Sequence, residues 1–254
     1  MENKIEPKID SLLDKYLALN YPHFVSSQQQ DTMGIKVSSE LHSQMFNQLF
    51  LTISVTETQQ AKDVYNSCQT GFSLALDLLI QNKAALPLLV KAGFKIANQE
   101  NWLLGNIANL GQIPSPDYVK KINYSNADNF EKLVRIFFKE KGVTDNFTEI
   151  CKKALVDVES GNLFSIFLVV KEDKVRAAAG YVFSPKKEFG HINFVLTLDD
   201  TQGYEYDLIN AVIHDSIILK IHKIILIKSG TLSKSEKLID LGFELENIYL
   251  NLVK

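Results

Sequence analysis

His191-Ile-Asn-Phe-Val-Leu-Thr-Leu198 runs into Asp199-Asp-Thr-Gln-Gly203 and then into Tyr204 to Leu219, and the stretch changes character at each junction. The first segment is rich in β-branched and aromatic residues, the second is turn chemistry, and the third repeats Leu208, Ile209, Val212, Ile213, Ser216 and Ile217 at helical spacing. Strand, glycine-containing loop and helix start therefore follow one another. Such a junction aims several backbone N–H groups at one point, which suits a phosphate.

Outward from this stretch, the chain alternates in the same way. Downstream, Ile224 to Lys228 reads as a buried strand, Ser233 to Leu241 as a short helix closed by Gly242, and Ile248 to Val253 as a last strand. Upstream, Leu163 to Val170 and Val175 to Phe183 form a hairpin around Lys171-Glu-Asp-Lys174, preceded by helices over Asn126 to Lys141 and Phe147 to Ser160 and a strand over Tyr118 to Tyr124. Gly111-Gln-Ile-Pro-Ser-Pro116 is the best linker. It suggests domains over 1–112 and 117–254. Before it, Ile5 to Leu19 carries a helical apolar stripe, Phe46 to Val55 reads as a strand, Phe72 to Ile80 as a buried strand whose Ala and Leu content also fits a helix, Glu57 to Cys68 and Ala84 to Ala92 as helices, and Asn101 to Ile107 as a strand. Leu88-Leu-Val-Lys-Ala-Gly-Phe-Lys95 echoes Lys237-Leu-Ile-Asp-Leu-Gly-Phe-Glu244, as a duplicated architecture would.

The bulk numbers exclude several classes. The 254 residues are 46% hydrophobic with a formal net charge of −3, which gives a foldable core and no basic field for nucleic acid. No apolar run approaches the length of a membrane span, and the charged start, Met1-Glu-Asn-Lys, is not that of a secretory signal. With two distant cysteines, Cys68 and Cys151, the expected setting is cytoplasmic. His214 and His222 are eight residues apart and make no metal-ligand pattern, so no metal is expected.

The order of elements from Tyr118 to Lys254, ending in Leu-Gly-Phe243 and a final strand, resembles the GNAT superfamily of acetyl-CoA-dependent N-acetyltransferases; residues from about Met45 to Ile107 resemble the degenerate GNAT-like half that precedes the working domain in some two-part members. The resemblance implies an α/β (α+β) fold with a mixed, mostly antiparallel sheet flanked by helices. It implies acetyl transfer from acetyl-CoA to an amine of a small molecule or protein. Val195, Leu196 and Leu198 would hold the cofactor, Gly203, Tyr204 and Glu205 would lie at its pyrophosphate, and Ser229 at the end of the next strand is a further ligand candidate. Glu188 and His191, near the start of the first of those strands, are the candidates for the base that takes the amine proton.

The sequence departs from the family pattern at three places. Asp200 stands where a cation would help, and Glu205 replaces a small residue at the site of an anion. Each opposes a pyrophosphate by about 1 kcal/mol or more at an effective dielectric near 20. Leu238 occupies the position of the tyrosine that protonates the leaving thiolate. These departures set a second expectation beside the first, a GNAT-derived protein that binds a ligand or partner without catalysis. A third expectation is an enzyme that takes its acyl group from a carrier protein. Homodimers are common in the superfamily; the residues leave the oligomeric state open.

Overall fold

The computed structural model describes residues 12–20, 27–30, 32–38, 47–68, 71–79, 84–111, 114–122, 127–140, 164–198 and 203–254. They divide into two compact units. The first takes the described residues up to Leu103 together with Ile227–Lys237 and Leu245–Lys254; the second takes Leu104–Leu226 and Leu238–Glu244. A single cut between 112 and 117 therefore does not reproduce the units, because the end of the chain returns to the first. The helix expected over Phe147 to Ser160 lies outside the described residues.

In the first unit, α1 (Leu12–Asn20) is followed by a hairpin of β1 (Ser27–Gln30) and β2 (Gly34–Ser38), then β3 (Gln48–Leu51), α2 (Thr58–Ser67), β4 (Ser73–Asp77), α3 (Ala85–Ala92) and β5 (Lys95–Asn106), whose last residues belong to the second unit. β1/β2 and β2/β3 are antiparallel, and β3/β4 are parallel, as the intervening helix requires. α2 begins with a capping box, in which Glu57 and Gln60 exchange side-chain and backbone contacts. Leu49, Leu51, Leu74 and Leu76 alternate onto one sheet face and pack with Val64, Leu89 and Phe94.

The second unit repeats this order. β6 (Val119–Ile122) and α4 (Ala127–Glu140) precede a hairpin of β7 (Phe164–Lys171) and β8 (Lys174–Phe183), then β9 (Phe189–Thr197), α5 (Tyr204–Leu219) and β10 (Lys223–Ser229); a 3-10 turn (Leu232–Ser235), α6 (Glu236–Asp240) and β11 (Phe243–Val253) follow, of which only Leu238–Glu244 belongs to this unit. β7/β8 and β8/β9 are antiparallel and β9/β10 parallel, so the pairing pattern matches that of β1 to β4. The hairpin turn puts Glu172 and Asp173 at φ 53° and 57°, the geometry of a tight two-residue turn. The echo around Gly93 and Gly242 is structural as well. Both glycines end their helices at positive φ, 120° and 100°, and Phe94 and Phe243 behind them are buried.

β11 pairs antiparallel with β4, Tyr249 opposite Asp77 and Leu252 opposite Leu74. Leu250 and Leu252, two of the last five residues of the chain, thereby complete the aliphatic core of the first unit. Truncating Leu252, which has no exposed surface, removes packing that the unit cannot recover from elsewhere. Leu252→Ala is expected to cost about 2–5 kcal/mol in urea denaturation, as large-to-small core changes do; a loss below about 1 kcal/mol would show that β11 does not close this core.

Candidate functional site

β9 is straight only for its first half. Its ladder with β10 comprises Phe189 to Ile192 opposite Lys223 to Leu226. On the other side the register with β8 slips at the next residue: Tyr181 faces Ile192, but Gly180 faces Phe194, so Asn193 is an extra, bulged residue. Asn193 is buried at this kink. Two glycines allow it. A Cβ on Gly180 would come within 2.4 Å of the Phe194 ring, and one on Gly190 within 2.2 Å of the Tyr181 hydroxyl. That hydroxyl lies 2.7 Å from Ser216 Oγ of α5, which in turn bonds the Val212 carbonyl at 2.7 Å.

The kink decides which backbone groups are free to act. Leu198 N–H donates to the Arg176 carbonyl of β8 at 2.9 Å. By the alternation of an antiparallel ladder, Leu196 and Phe194 also turn toward β8, opposite Ala178 and Gly180. Val195 and Thr197 turn the other way, to the side that β10 occupied before the kink. Of the residues singled out in the sequence, Val195 thus presents backbone groups on that side, and Leu196 and Leu198 do not. Thr197 was not singled out.

His191 and Glu188 sit before the kink. The Tyr181–Ser216 contact places Tyr181 and Ile192 on the α5 face, so His191 is on the opposite face of the sheet. It is 1% exposed, and burial pulls its pKa down to about 3, leaving a neutral imidazole at physiological pH. Glu188 is exposed, and its carbonyl accepts from Lys223 N–H at the closed end of the β9/β10 pair. It stands five residues ahead of Asn193, roughly 16 Å of extended chain. Neither candidate base is brought to the C-terminal end of β9.

α5 starts beside that end. Gly203 caps it in a left-handed conformation, φ 71°, without a side-chain hydrogen bond. Asp200 lies outside the described residues. Tyr204 is buried, while Glu205 and Asp207 occupy the first turn, where acidic side chains favour the helix dipole. Asp207 Oδ2 accepts from the Tyr118 hydroxyl at 2.8 Å, and Tyr118 is pushed up to about 12 by desolvation and by this contact. Lys171 Nζ lies 4.2 Å from the Tyr118 ring centroid and 4.9 Å from that of Tyr204. Two turns on, Lys121 Nζ grips Asp215 at 2.6 and 2.8 Å. Two ties, Tyr118–Asp207 and Lys121–Asp215, thus fasten α5 along β6. Sequence reasoning missed this set because Tyr118, Lys171 and Asp207 are far apart in the chain and none belongs to a motif.

The other named residues have structural settings. Ser229 is exposed at the end of β10, in the first unit. Leu238 has no exposed surface, and α6 offers no hydroxyl in its place. Among the described residues no group of three His, Cys, Asp or Glu is placed to hold a metal, and no helix is long and apolar enough to cross a membrane.

Two antiparallel strands, a kinked strand parallel to its successor across a helix, and a short helix leading to a last strand form a known arrangement. The chain has the GNAT fold. Solved structures similar to it include a GCN5-related N-acetyltransferase from Kribbella flavida (TM-score 0.54, 10% identity, 95% of each chain covered). An acetyltransferase of the GNAT family from Colwellia psychrerythraea aligns at TM-score 0.50 and 11% identity over 88% of this chain and 82% of that one. A conserved protein of unknown function from Staphylococcus epidermidis aligns at TM-score 0.62 and 10% identity over 96% and 97%. No protein-family model and no curated protein matches the sequence. The GNAT likeness is therefore one of fold, a mixed sheet flanked by helices, carried by pairing and topology at low identity.

Two measurements check the site's geometry. Gly180→Ala is expected to cost about 1–3 kcal/mol, as overpacking does, and much less in a Phe194→Ala background, where the ring that the new methyl meets is gone. Equal cost in both backgrounds would refute the kink's origin. For His191 the sign follows from a folded pKa depressed to about 3 against an ordinary value of 6.5. Its contribution is complete above pH 6.5 and is lost as pH falls toward 3, by up to about 1.4 kcal/mol per pH unit. The denaturation midpoint of His191→Gln should therefore fall less steeply below pH 6.5 than that of the parent.

Proposed function

We propose that the chain is an acyltransfer protein of GNAT type, which moves an acetyl group from acetyl-CoA to the amine of a small molecule or protein. The observation that carries this reading is the kink at Asn193, which turns the backbone groups of Val195 away from β8 beyond the end of the β9/β10 ladder, ahead of a helix N-terminus. A thioester carbonyl and its pantetheine arm hydrogen-bond to such groups, and the first turn of α5 takes the pyrophosphate. The amine attacks the thioester carbon, the tetrahedral intermediate collapses, and CoA leaves as thiolate. With Leu238 in the core, α6 offers no hydroxyl at that position to protonate the thiolate. With His191 neutral and held on the far face of β9, the amine proton passes to water more readily than to this ring. Turnover is accordingly slow.

Leu238 together with Glu205 in the first turn favours a second reading, a GNAT-fold protein that binds without catalysis. Calorimetric titration of the full chain with acetyl-CoA, compared with S-acetylpantetheine, separates the two. Binding of acetyl-CoA followed by acetyl transfer to a panel of amines supports the first; no binding at millimolar cofactor supports the second. Under the first reading, Glu205→Gln removes about 1 kcal/mol of repulsion and is expected to tighten acetyl-CoA about fivefold. S-acetylpantetheine, which lacks the pyrophosphate, should bind equally to both forms.

A further inference from the structure

The sheet of the first unit has two unlike faces. One carries the aliphatic core with α2 and α3. On the other, the registers set Phe50, Ala75 and Asn251 in one row and Asp77 and Tyr249 in the next. Trp102 of β5 joins this face. Its ring centroid lies 4.9 Å from Tyr249 and 4.7 Å from Tyr16 of α1, and Phe50 meets Tyr249 edge-on at 5.6 Å.

The polar groups among these rings are unevenly matched. Glu100 accepts from Trp102 Nε1 at 3.3 Å and from the side chains of Asn251 and Asn98. These are neutral donors, and burial raises the Glu100 carboxyl despite them. Asp77 accepts from Leu79 N–H at 2.9 Å, from Asn247 Nδ2 at 2.8 Å and from the Tyr249 hydroxyl. Asn251 is 4% exposed, yet among the described residues its Oδ1 has no hydrogen-bond partner. Flipping the amide does not cure this, because the oxygen would then face the Glu100 carboxylate. A buried acceptor without a donor is costly, and beside it stands a carboxylate whose partners among the described residues are neutral dipoles.

We propose that this face binds an organic primary ammonium, whose N–H groups donate to Glu100 and Asn251 Oδ1 while Trp102 and Tyr249 line its carbon body. A carboxylate, an amide oxygen and electron-rich rings are the acceptors that such a cation needs. A quaternary ammonium supplies the charge but no hydrogen for Asn251. An alcohol supplies the hydrogen but no charge for Glu100.

Trp102 is the single tryptophan of the chain, and its indole N–H rests on Glu100, so it reports on the site directly. The full chain is titrated, at constant ionic strength and without any acyl-CoA, with n-butylammonium, n-butyltrimethylammonium and n-butanol while tryptophan emission is followed. The expected result is a saturable change with n-butylammonium, at least about tenfold weaker affinity for the quaternary ion, and no saturable change with the alcohol. Saturation should also raise the melting temperature by about 3 °C at ten times the dissociation constant. Glu100→Gln should abolish the response. No saturable change up to ~50 mM, equal responses to the three probes, or a response retained in Glu100→Gln would overturn the proposal. If Glu100→Gln does not fold, the selectivity among the three probes in the parent chain decides. Since no cofactor is present, failure here leaves the acyltransfer reading untouched, and failure of that reading leaves this one untouched.

Discussion

The contact of the Phe194 ring with Gly180 is the constraint on which the rest of the second unit turns. A strand that kept its register with β8 would continue its ladder with β10, and its backbone groups would be spent on the sheet. The ring lies where a Cβ would stand, the strand takes up Asn193 as an extra residue, and the pairing with β10 ends one residue earlier, at Ile192. The insertion has a second effect. It changes which side chains face α5, since a slip of one residue exchanges the two faces of a strand. Ile192 shares the α5 face with Tyr181, whereas Phe194 lies against Gly180 on the other. One glycine thus sets both the open edge and the composition of the surface beneath the helix.

The duplication has a comparable logic. Each half supplies a hairpin, a third strand, a helix and a parallel fourth strand, and then a short helix with a glycine at positive φ. In the first half the parallel fourth strand, β4, takes as its antiparallel neighbour β11, from the chain's far end. Burial of Leu250 and Leu252 at that seam means that the core of the first unit is assembled from residues about 200 positions apart. Closing that seam carries the entropy cost of a long loop, which the burial of Leu250 and Leu252 must offset.

The readable part of the sequence was the part governed by period and punctuation. His191 to Leu198, Tyr204 to Leu219 and the Leu-Gly-Phe echo have local signals, and each became the element expected. β5 proved longer than read, Lys95–Asn106 rather than Asn101 onward, because its first half, exposed at Lys95 to Ala97 and half-buried from Asn98 to Glu100, is mostly polar and carries a weak strand signal. The boundary between units was hidden for a related reason: Gly111 to Pro116 looks like a linker, but strand pairing and not composition decides where β11 belongs. At the site, Gly203 and Val195 were visible through the glycine loop and the family likeness. The bulge left only a faint mark, a glycine inside Ala177-Ala-Ala-Gly180 in an otherwise strand-like run. Tyr118, Lys171 and Asp207 left none.

Those three residues alter the electrostatic argument that the sequence suggests. Counting carboxylates near Gly203 gives a site hostile to phosphate. The count omits Asp207, a further carboxylate whose Oδ2 is bound by the Tyr118 hydroxyl, which stays protonated well above neutral pH. It also omits a cation. Lys171 comes from the β7/β8 hairpin and holds its ammonium over the rings of Tyr118 and Tyr204, the latter being the first residue of α5. Opposite charges at similar range cancel to first order at any dielectric, so what matters at the start of α5 is the balance of Lys171 against Glu205 and a hydrogen-bonded Asp207. One ammonium against two carboxylates leaves that balance negative, so the helix dipole and the backbone N–H groups must outweigh the remaining charge for an anion to be held there.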